Sequence, residues 1–172
     1  DLPSLDDTAA LTTAQLLLER GANPNAQLKL RPPYRNVIND RGGDNLLSTG
    51  ATPLLLAAKV GDADAIVMLL KAGALIELPT ATGVTPLMAA AGMGHSFNPT
   101  RGRFKTDAQA LVAVRLLKDA GGQINVQSGN GTTALHAAAS HGWNETIQYL
   151  VASDAALEAR DEKGLTPIDY AA

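Results

Sequence analysis

This sequence predicts an all-α solenoid: stacked helix-turn-helix units joined by extended hairpin loops and broken by two insertions. Three observations predict it. A short signature recurs as Thr52-Pro53-Leu54, Thr85-Pro86-Leu87, Thr133-Ala134-Leu135 and Thr166-Pro167-Ile168. Its first and last steps are 33 residues, and its middle step is 48, the same period with 15 residues added. A fixed period of this size marks a repeat array, in which each unit buries its apolar face only against its neighbours. Glycines punctuate each unit: Gly50, Gly83, Gly131 and Gly164 two residues before the Thr, and Gly61, Gly94 and Gly142 nine residues after it. Finally, the chain is 45% hydrophobic but only 3% aromatic, so its interior is built from Ala, Leu, Val and Ile.

Taken in order, the units justify themselves locally. A helical tail, Leu17-Leu18-Glu19-Arg20, runs into Gly21-Ala22-Asn23-Pro24-Asn25 and forms a partial repeat over 1–25. An insertion follows over 26–49, then repeats at 50–82, 83–130 (interrupted at about 96–106) and 131–163, and a partial repeat at 164–172. In each, Thr is an N-cap and Pro takes the first helical position, where its missing N–H costs nothing. The Ala runs 57–58, 89–91 and 137–139 favour helix and are small enough for close packing. A second helix ends at Leu69-Leu70, Leu116-Leu117 and Leu150-Val151. Gly73 and Gly121 then supply the left-handed C-terminal turn; Asp154 replaces that glycine, and Asp tolerates this backbone better than most residues.

The stretches Gly50-Ala51-Thr52-Pro53-Leu54 through Gly73-Ala74, and Gly131-Thr132-Thr133-Ala134-Leu135-His136-Ala137-Ala138 through Glu158, resemble the ankyrin repeat. The four registered copies cover nearly the whole chain apart from the insertions. The long loop before a Gly-Ala-Thr-Pro unit, and the second between two helices, are similar to a bacterial group of ankyrin-repeat proteins from soil genomes. That likeness implies a bacterial source and a secreted or periplasmic location. The family likeness implies a protein-binding scaffold rather than an enzyme.

Other classes find little support. No apolar run approaches the roughly 18 residues of a membrane-spanning helix, so no membrane insertion is expected. There is no Cys, which removes disulfide and thiolate chemistry and leaves the compartment open. His136 sits where the repeat pattern usually has a structural His, and His95 falls in its Gly-His position. His141 lies five residues from His136, the wrong spacing for two metal ligands on one helical face. No Cys or carboxylate cluster completes a metal site. Gly92-Met93-Gly94 and Gly129-Asn130-Gly131 lack the Lys-Ser/Thr of a phosphate loop, and Ser140 lacks an oriented base. No catalytic residue, cofactor or metal is expected.

The individuality lies in the insertions. Residues 27–49 carry Lys29, Arg31, Arg35 and Arg41 against Asp40 and Asp44; residues 96–106 carry Arg101, Arg103 and Lys105 unopposed. These loops are therefore +2 and +3 in a chain of net charge −3. They also hold Tyr34, Phe97 and Phe104, and Arg and aromatics dominate binding hot spots. Insertions this long are commonly functional or disordered, although local bracing is an open alternative.

The sequence thus nominates a partner-binding set: Tyr34 and Arg35 in the first insertion, Phe97, Arg101, Arg103 and Phe104 in the second, and Leu78, Thr80, Thr82, Gln127 and Asn130 on the hairpins. Trp143 joins them either as an exposed anchor or as cover for the next repeat's apolar edge. The expected partner is another protein, held by the concave face, hairpin tips and insertions. Head-to-tail self-association is the first alternative, because neither end carries a polar capping repeat and bare ends expose apolar surface for stacking. Separately, the natural chain is expected to be longer in both directions. Polyanion or nucleic-acid binding is the second, with a poor electrostatic footprint on an acidic scaffold of pI near 5.5.

Overall fold

Leu54, Leu87 and Leu135 share one position in the repeat and are 1%, 1% and 3% exposed. Their burial follows from a computed structural model that describes residues 7–29, 49–94 and 105–171. Among these residues lie eight helices and no strand: α1 (Asp7–Glu19), α2 (Pro53–Val60), α3 (Ala63–Lys71), α4 (Pro86–Ala90), α5 (Asp107–Asp119), α6 (Ala134–Ser140), α7 (Asn144–Ala152) and α8 (Pro167–Tyr170). Helices α2 and α3, α4 and α5, and α6 and α7 form antiparallel pairs. The first helices of successive pairs stack as α2–α4–α6–α8, and the second helices as α1–α3–α5–α7.

Each first helix starts as its sequence dictates. The Thr52 hydroxyl accepts from Leu55 N–H at 3.1 Å, and the Thr85 hydroxyl accepts from Met88 N–H at 3.4 Å. Thr133 instead shares a closed exchange with His136, whose Nδ1 accepts from Thr133 N–H at 3.2 Å and from its hydroxyl at 2.9 Å. His136 Nε2 then donates to the Leu165 carbonyl of the next unit at 3.2 Å. This histidine is fully buried and is a strut between repeats. Ala58, Ala89, Ala90, Ala91 and Ala138 are all 0% exposed: methyl-sized side chains let neighbouring first helices approach, and the leucines fill the space between. Each buried leucine contributes roughly 1.5–3 kcal/mol.

The hairpins form a ladder of backbone bonds. Within a hairpin, Thr80 N–H reaches Val84 O at 3.0 Å, Ser128 N–H reaches Thr132 O at 2.9 Å and Asp161 N–H reaches Leu165 O at 3.0 Å. Between hairpins, Ala81 N–H donates to Thr49 O at 2.8 Å, Gly129 N–H to Thr82 O at 2.8 Å and Glu162 N–H to Asn130 O at 2.9 Å. The glycine of the signature makes this approach possible. Gly131 has φ +82°, and a Cβ there would stand 2.9 Å from Asp161 Cα. At the C-terminal turn of α7, Asp154 takes φ +63°, the one positive non-glycine φ among the described residues.

A side-chain ladder braces the start of each hairpin. Asn25 Nδ2 donates to Gly73 O at 3.0 Å while its Oδ1 accepts from Leu75 N–H at 2.7 Å. Glu77 accepts from Gln123 N–H at 2.8 Å. Asn125 repeats the double bond to the next unit, donating to Asp154 O and accepting from Ala156 N–H, both at 2.8 Å.

Candidate partner-binding surface

The two insertions leave the scaffold at opposite ends of the helix pairs. The first departs after Lys29 and returns at Thr49, taking the place of a hairpin tip. Its base is closed as a hairpin, with Leu28 N–H on Ala51 O at 3.0 Å and Gly50 N–H on Leu28 O at 2.8 Å. The second, over about 96–106, lies between α4 and α5, with Gly94 and Lys105 the described residues on either side of 95–104. A hairpin precedes the N-terminus of each first helix and this turn follows its C-terminus, so the two roots are a helix length apart. Tyr34, Arg35, Phe97, Arg101, Arg103 and Phe104 lie outside the described residues, as does His95.

The nominated hairpin residues divide by burial. Thr82, Gln127 and Asn130 are exposed and Leu78 is half-buried. Asn130 is held by its own hairpin, its Oδ1 accepting from the Ser128 hydroxyl at 2.6 Å and from the Thr132 hydroxyl. Thr80 does not present to a partner as the sequence suggested. It is buried, its hydroxyl accepting from Val84 N–H at 3.1 Å and lying 2.9 Å from that of Thr82. Its oxygen accepts inside the turn, as the Asp161 carboxylate does at the same position of the last hairpin, where it takes Leu165 N–H at 2.9 Å.

Trp143 is likewise buried, at 8% exposed, and is not an exposed anchor. Beyond its own repeat, its described contacts are with the preceding one, at Gly92 and Lys105, rather than with the next repeat's apolar edge. The indole stacks on His141 at 4.8 Å between ring centroids, and His141 Nε2 donates to Gly92 O at 2.9 Å. A Cβ on Gly92 would lie 2.9 Å from Trp143 Cζ3, so the glycine makes room for both rings. Burial lowers the His141 pKa; the bond to Gly92 raises it, and the charge of Lys105 lowers it further.

Lys105 was counted above with the basic insertion, and the structure corrects this. It is 3% exposed, and its Nζ donates to Ala90 O at 2.6 Å, Ala89 O at 2.8 Å and Ala58 O at 3.2 Å. The Trp143 ring centroid lies 5.3 Å from Nζ. Burial and the charge of Lys59 bring its pKa down from 10.5 to about 7. Lys105 is thus not an exposed loop cation; Arg101 and Arg103 lie outside the described residues.

Asp107 also escaped sequence reasoning. Trp143 stands at the N-cap of α7 and offers no side-chain cap. Asp107, on α5, supplies it across the repeat boundary, accepting from Glu145 N–H at 2.8 Å, Thr146 N–H at 3.0 Å and the Thr146 hydroxyl at 2.7 Å. The equivalent turn in α3 is capped by its own Asp62, which accepts from Ala65 N–H at 3.0 Å. The signal was present: an indole in place of a capping carboxylate requires a cap from elsewhere.

The last hairpin carries an acidic centre. Burial raises the Asp161 pKa, but donors from the Tyr170 hydroxyl, Leu165 N–H and Lys163 N–H outweigh it and hold the carboxyl below its ordinary value. The Tyr170 hydroxyl is pushed up to about 12 by burial and by that same bond. Among the described residues no group of three or more His, Cys, Asp or Glu is placed to hold a metal ion, and no helix is long and apolar enough to cross a membrane.

Stacked helix pairs with a capping Thr, a tip glycine and a hairpin ladder define a repeat scaffold. A profile of ankyrin repeats in three copies matches residues 107–172, and the single ankyrin repeat matches residues 49–81. The chain belongs to the ankyrin-repeat family, whose members are in general non-catalytic protein-interaction scaffolds. It is similar to the human ankyrin repeat domain-containing protein 63, at 34% identity over 98 residues, 57% of this chain and 23% of that protein. The mouse protein of the same name is 34% identical over 98 residues, 22% of its length. This chain therefore spans under a quarter of the curated relatives it matches.

Proposed function

We propose that this protein binds a protein partner through its exposed hairpin tips and its two insertions. One observation carries the reading: the hairpins are locked to one another by backbone hydrogen bonds, yet Thr82, Gln127 and Asn130 at and beside their tips remain exposed. A preorganised row of this kind binds without a large loss of conformational entropy. Leu78 lies beside the row. The insertions add Tyr34 and Arg35 at the hairpin end, and Phe97, Arg101, Arg103 and Phe104 at the other, the residue types that anchor interfaces. The subgroup likeness to bacterial proteins, with a secreted or periplasmic location, rests on the placement of the insertions alone.

The test is affinity capture from a lysate of the source organism, identified by mass spectrometry. It compares the intact chain with one whose insertions are both cut to the length of an ordinary turn. A protein recovered by the first and lost from the second supports recognition by the insertions. One recovered equally by both moves recognition to the hairpin row and first helices. Absence of any specific protein contradicts the reading.

A further inference from the structure

Asn130 and Gly131 are the only Asn-Gly pair in the chain, and they stand at a hairpin tip. Asn130 is exposed and Gly131 half-buried. The glycine is imposed by the fold, since a Cβ there would stand 2.9 Å from Asp161 Cα of the next hairpin. With no side chain of its own, it leaves its peptide nitrogen unshielded beside the Asn130 amide. At the equivalent glycines the preceding residue is Thr49, Thr82 or Lys163. This tip alone sets a side-chain amide before the glycine.

Such a pair rearranges without an enzyme. The Gly131 nitrogen, its proton lost to hydroxide, attacks Asn130 Cγ. A C–N bond forms, the Cγ–Nδ2 bond breaks, and the amide leaves as ammonia, taking its third hydrogen from water. Water then opens the resulting succinimide at either carbonyl. One opening leaves aspartate; the other leaves isoaspartate, in which the main chain runs through the side-chain carbon. The net change is one water consumed and one ammonia released, with nothing oxidised. The closed hairpin opposes the first step. Gly131 N–H is committed to Ser128 O at 2.8 Å. Asn130 Oδ1 accepts from the Ser128 hydroxyl at 2.6 Å, from the Thr132 hydroxyl, and from Thr132 N–H at 3.4 Å. Ring closure must free the nitrogen and move Cγ off the position these donors fix.

We propose that Asn130-Gly131 is a self-modification site gated by its own hairpin: closed, the tip holds the pair apart, and local opening admits succinimide formation and loss of ammonia. The rate in the folded chain is then the open-tip rate multiplied by the fraction of time the tip is open. The two products differ in consequence. Aspartate keeps the backbone length and an oxygen for the Ser128 and Thr132 hydroxyls. Isoaspartate adds a carbon to the main chain between two rungs, Gly131 N–H on Ser128 O and Glu162 N–H on Asn130 O, and throws them out of register. Either product places a negative charge on a stretch, 126–132, that carries none. The consequence for recognition rests on the binding reading above; the modification itself does not.

The test follows Asn130 in the intact chain by peptide mass spectrometry during incubation in mildly alkaline buffer, with isoaspartate counted by enzymatic methylation. In denaturing urea Asn130 should convert steadily, and in the native protein it should convert at least about tenfold more slowly. A series of urea concentrations below the unfolding transition gives a second readout. Conversion should rise in proportion to amide hydrogen exchange at Gly131, because both require the same N–H to leave Ser128 O. Asn130→Gln, whose longer side chain closes a ring far less readily, should abolish the mass change at this position in every condition. Equal rates in native and denatured protein would show that the hairpin gates nothing. Absence of conversion in denatured protein, conversion that does not follow Gly131 exchange, or a mass change that persists in Asn130→Gln equally overturns the proposal. No readout involves a partner, so failure here leaves the affinity-capture test of protein binding intact.

Discussion

The two ends of each helix pair are built by different means. At the hairpin end, the same backbone bonds recur from unit to unit: Thr49 O with Ala81 N–H, Thr82 O with Gly129 N–H, Asn130 O with Glu162 N–H. At the turn end no two units are alike. Asp62 caps its own helix, whereas α7 borrows Asp107, and Lys105, His141 and Trp143 fill one junction with side chains. Each end has accommodated one insertion, the longer at the first hairpin and the shorter at the turn between α4 and α5. What differs is that the hairpin end repeats its backbone bonds on either side, while the turn end is rebuilt with side chains each time. The backbone ladder holds the register even where an insertion enters it, since Leu28 and Ala51 still pair at the base of the first hairpin.

The comparison can be broken most severely at the hairpin end. Gly131→Val places a β-branched side chain at φ +82° against the backbone of Asp161. The expected loss is about 3 kcal/mol, measured by urea unfolding; a loss under about 1 kcal/mol would show that the hairpins bend freely. Asp107→Ala should cost about 1–2 kcal/mol, because two amides and the Thr146 hydroxyl lose their acceptor. Asp62→Ala, which removes one capping bond within its own repeat, should cost about 1 kcal/mol or less. Equal losses would indicate that the cap across the boundary adds nothing beyond a local one.

A pH effect sharpens the comparison at the last hairpin. The Asp161 carboxyl titrates below its ordinary 3.8 in the folded chain. Its contribution is therefore present above pH 3.8 and fades as pH falls through the lower folded value. The amide resonances of Leu165 and Lys163, which donate to this carboxylate, should shift with a midpoint below 3.8. Asp161→Asn should abolish that shift, and a midpoint at or above 3.8 would contradict the assigned bonds. The smallest effect is expected at a tip: Thr82→Ala should change stability by less than about 0.5 kcal/mol while weakening capture of a partner. Unchanged capture would remove this tip from the surface.

What could be read in the sequence follows the same division. Thr52, Thr85, Thr133 and Thr166 announce helix starts because a cap acts within three residues, and Asp154 announces a turn because its backbone preference is its own. His136 was readable as structural because its place in the repeat carries its bonds with it. Lys105 was not readable. Its acceptors lie 15, 16 and 47 residues away, and it sits in an aperiodic segment with no equivalent to compare. Charge alone groups it with Arg101 and Arg103 and suggests an exposed loop. Thr80 misleads for the opposite reason: hairpins look polar and exposed, yet at this neck the side-chain oxygen turns inward to accept from Val84 N–H. Trp143 left two readings open in sequence, and the space beside Gly92 selects the buried one.

The most direct test of this two-ended construction is native-state amide hydrogen exchange on the wild type and on Asp107→Ala. In Asp107→Ala, Glu145 and Thr146, whose amides bond to Asp107, should lose protection. Ala81, Gly129 and Glu162, whose amides form the hairpin ladder, should keep theirs. Parallel loss at both ends would contradict it, showing that the ladder and the side-chain junction are one cooperative unit rather than two independent supports.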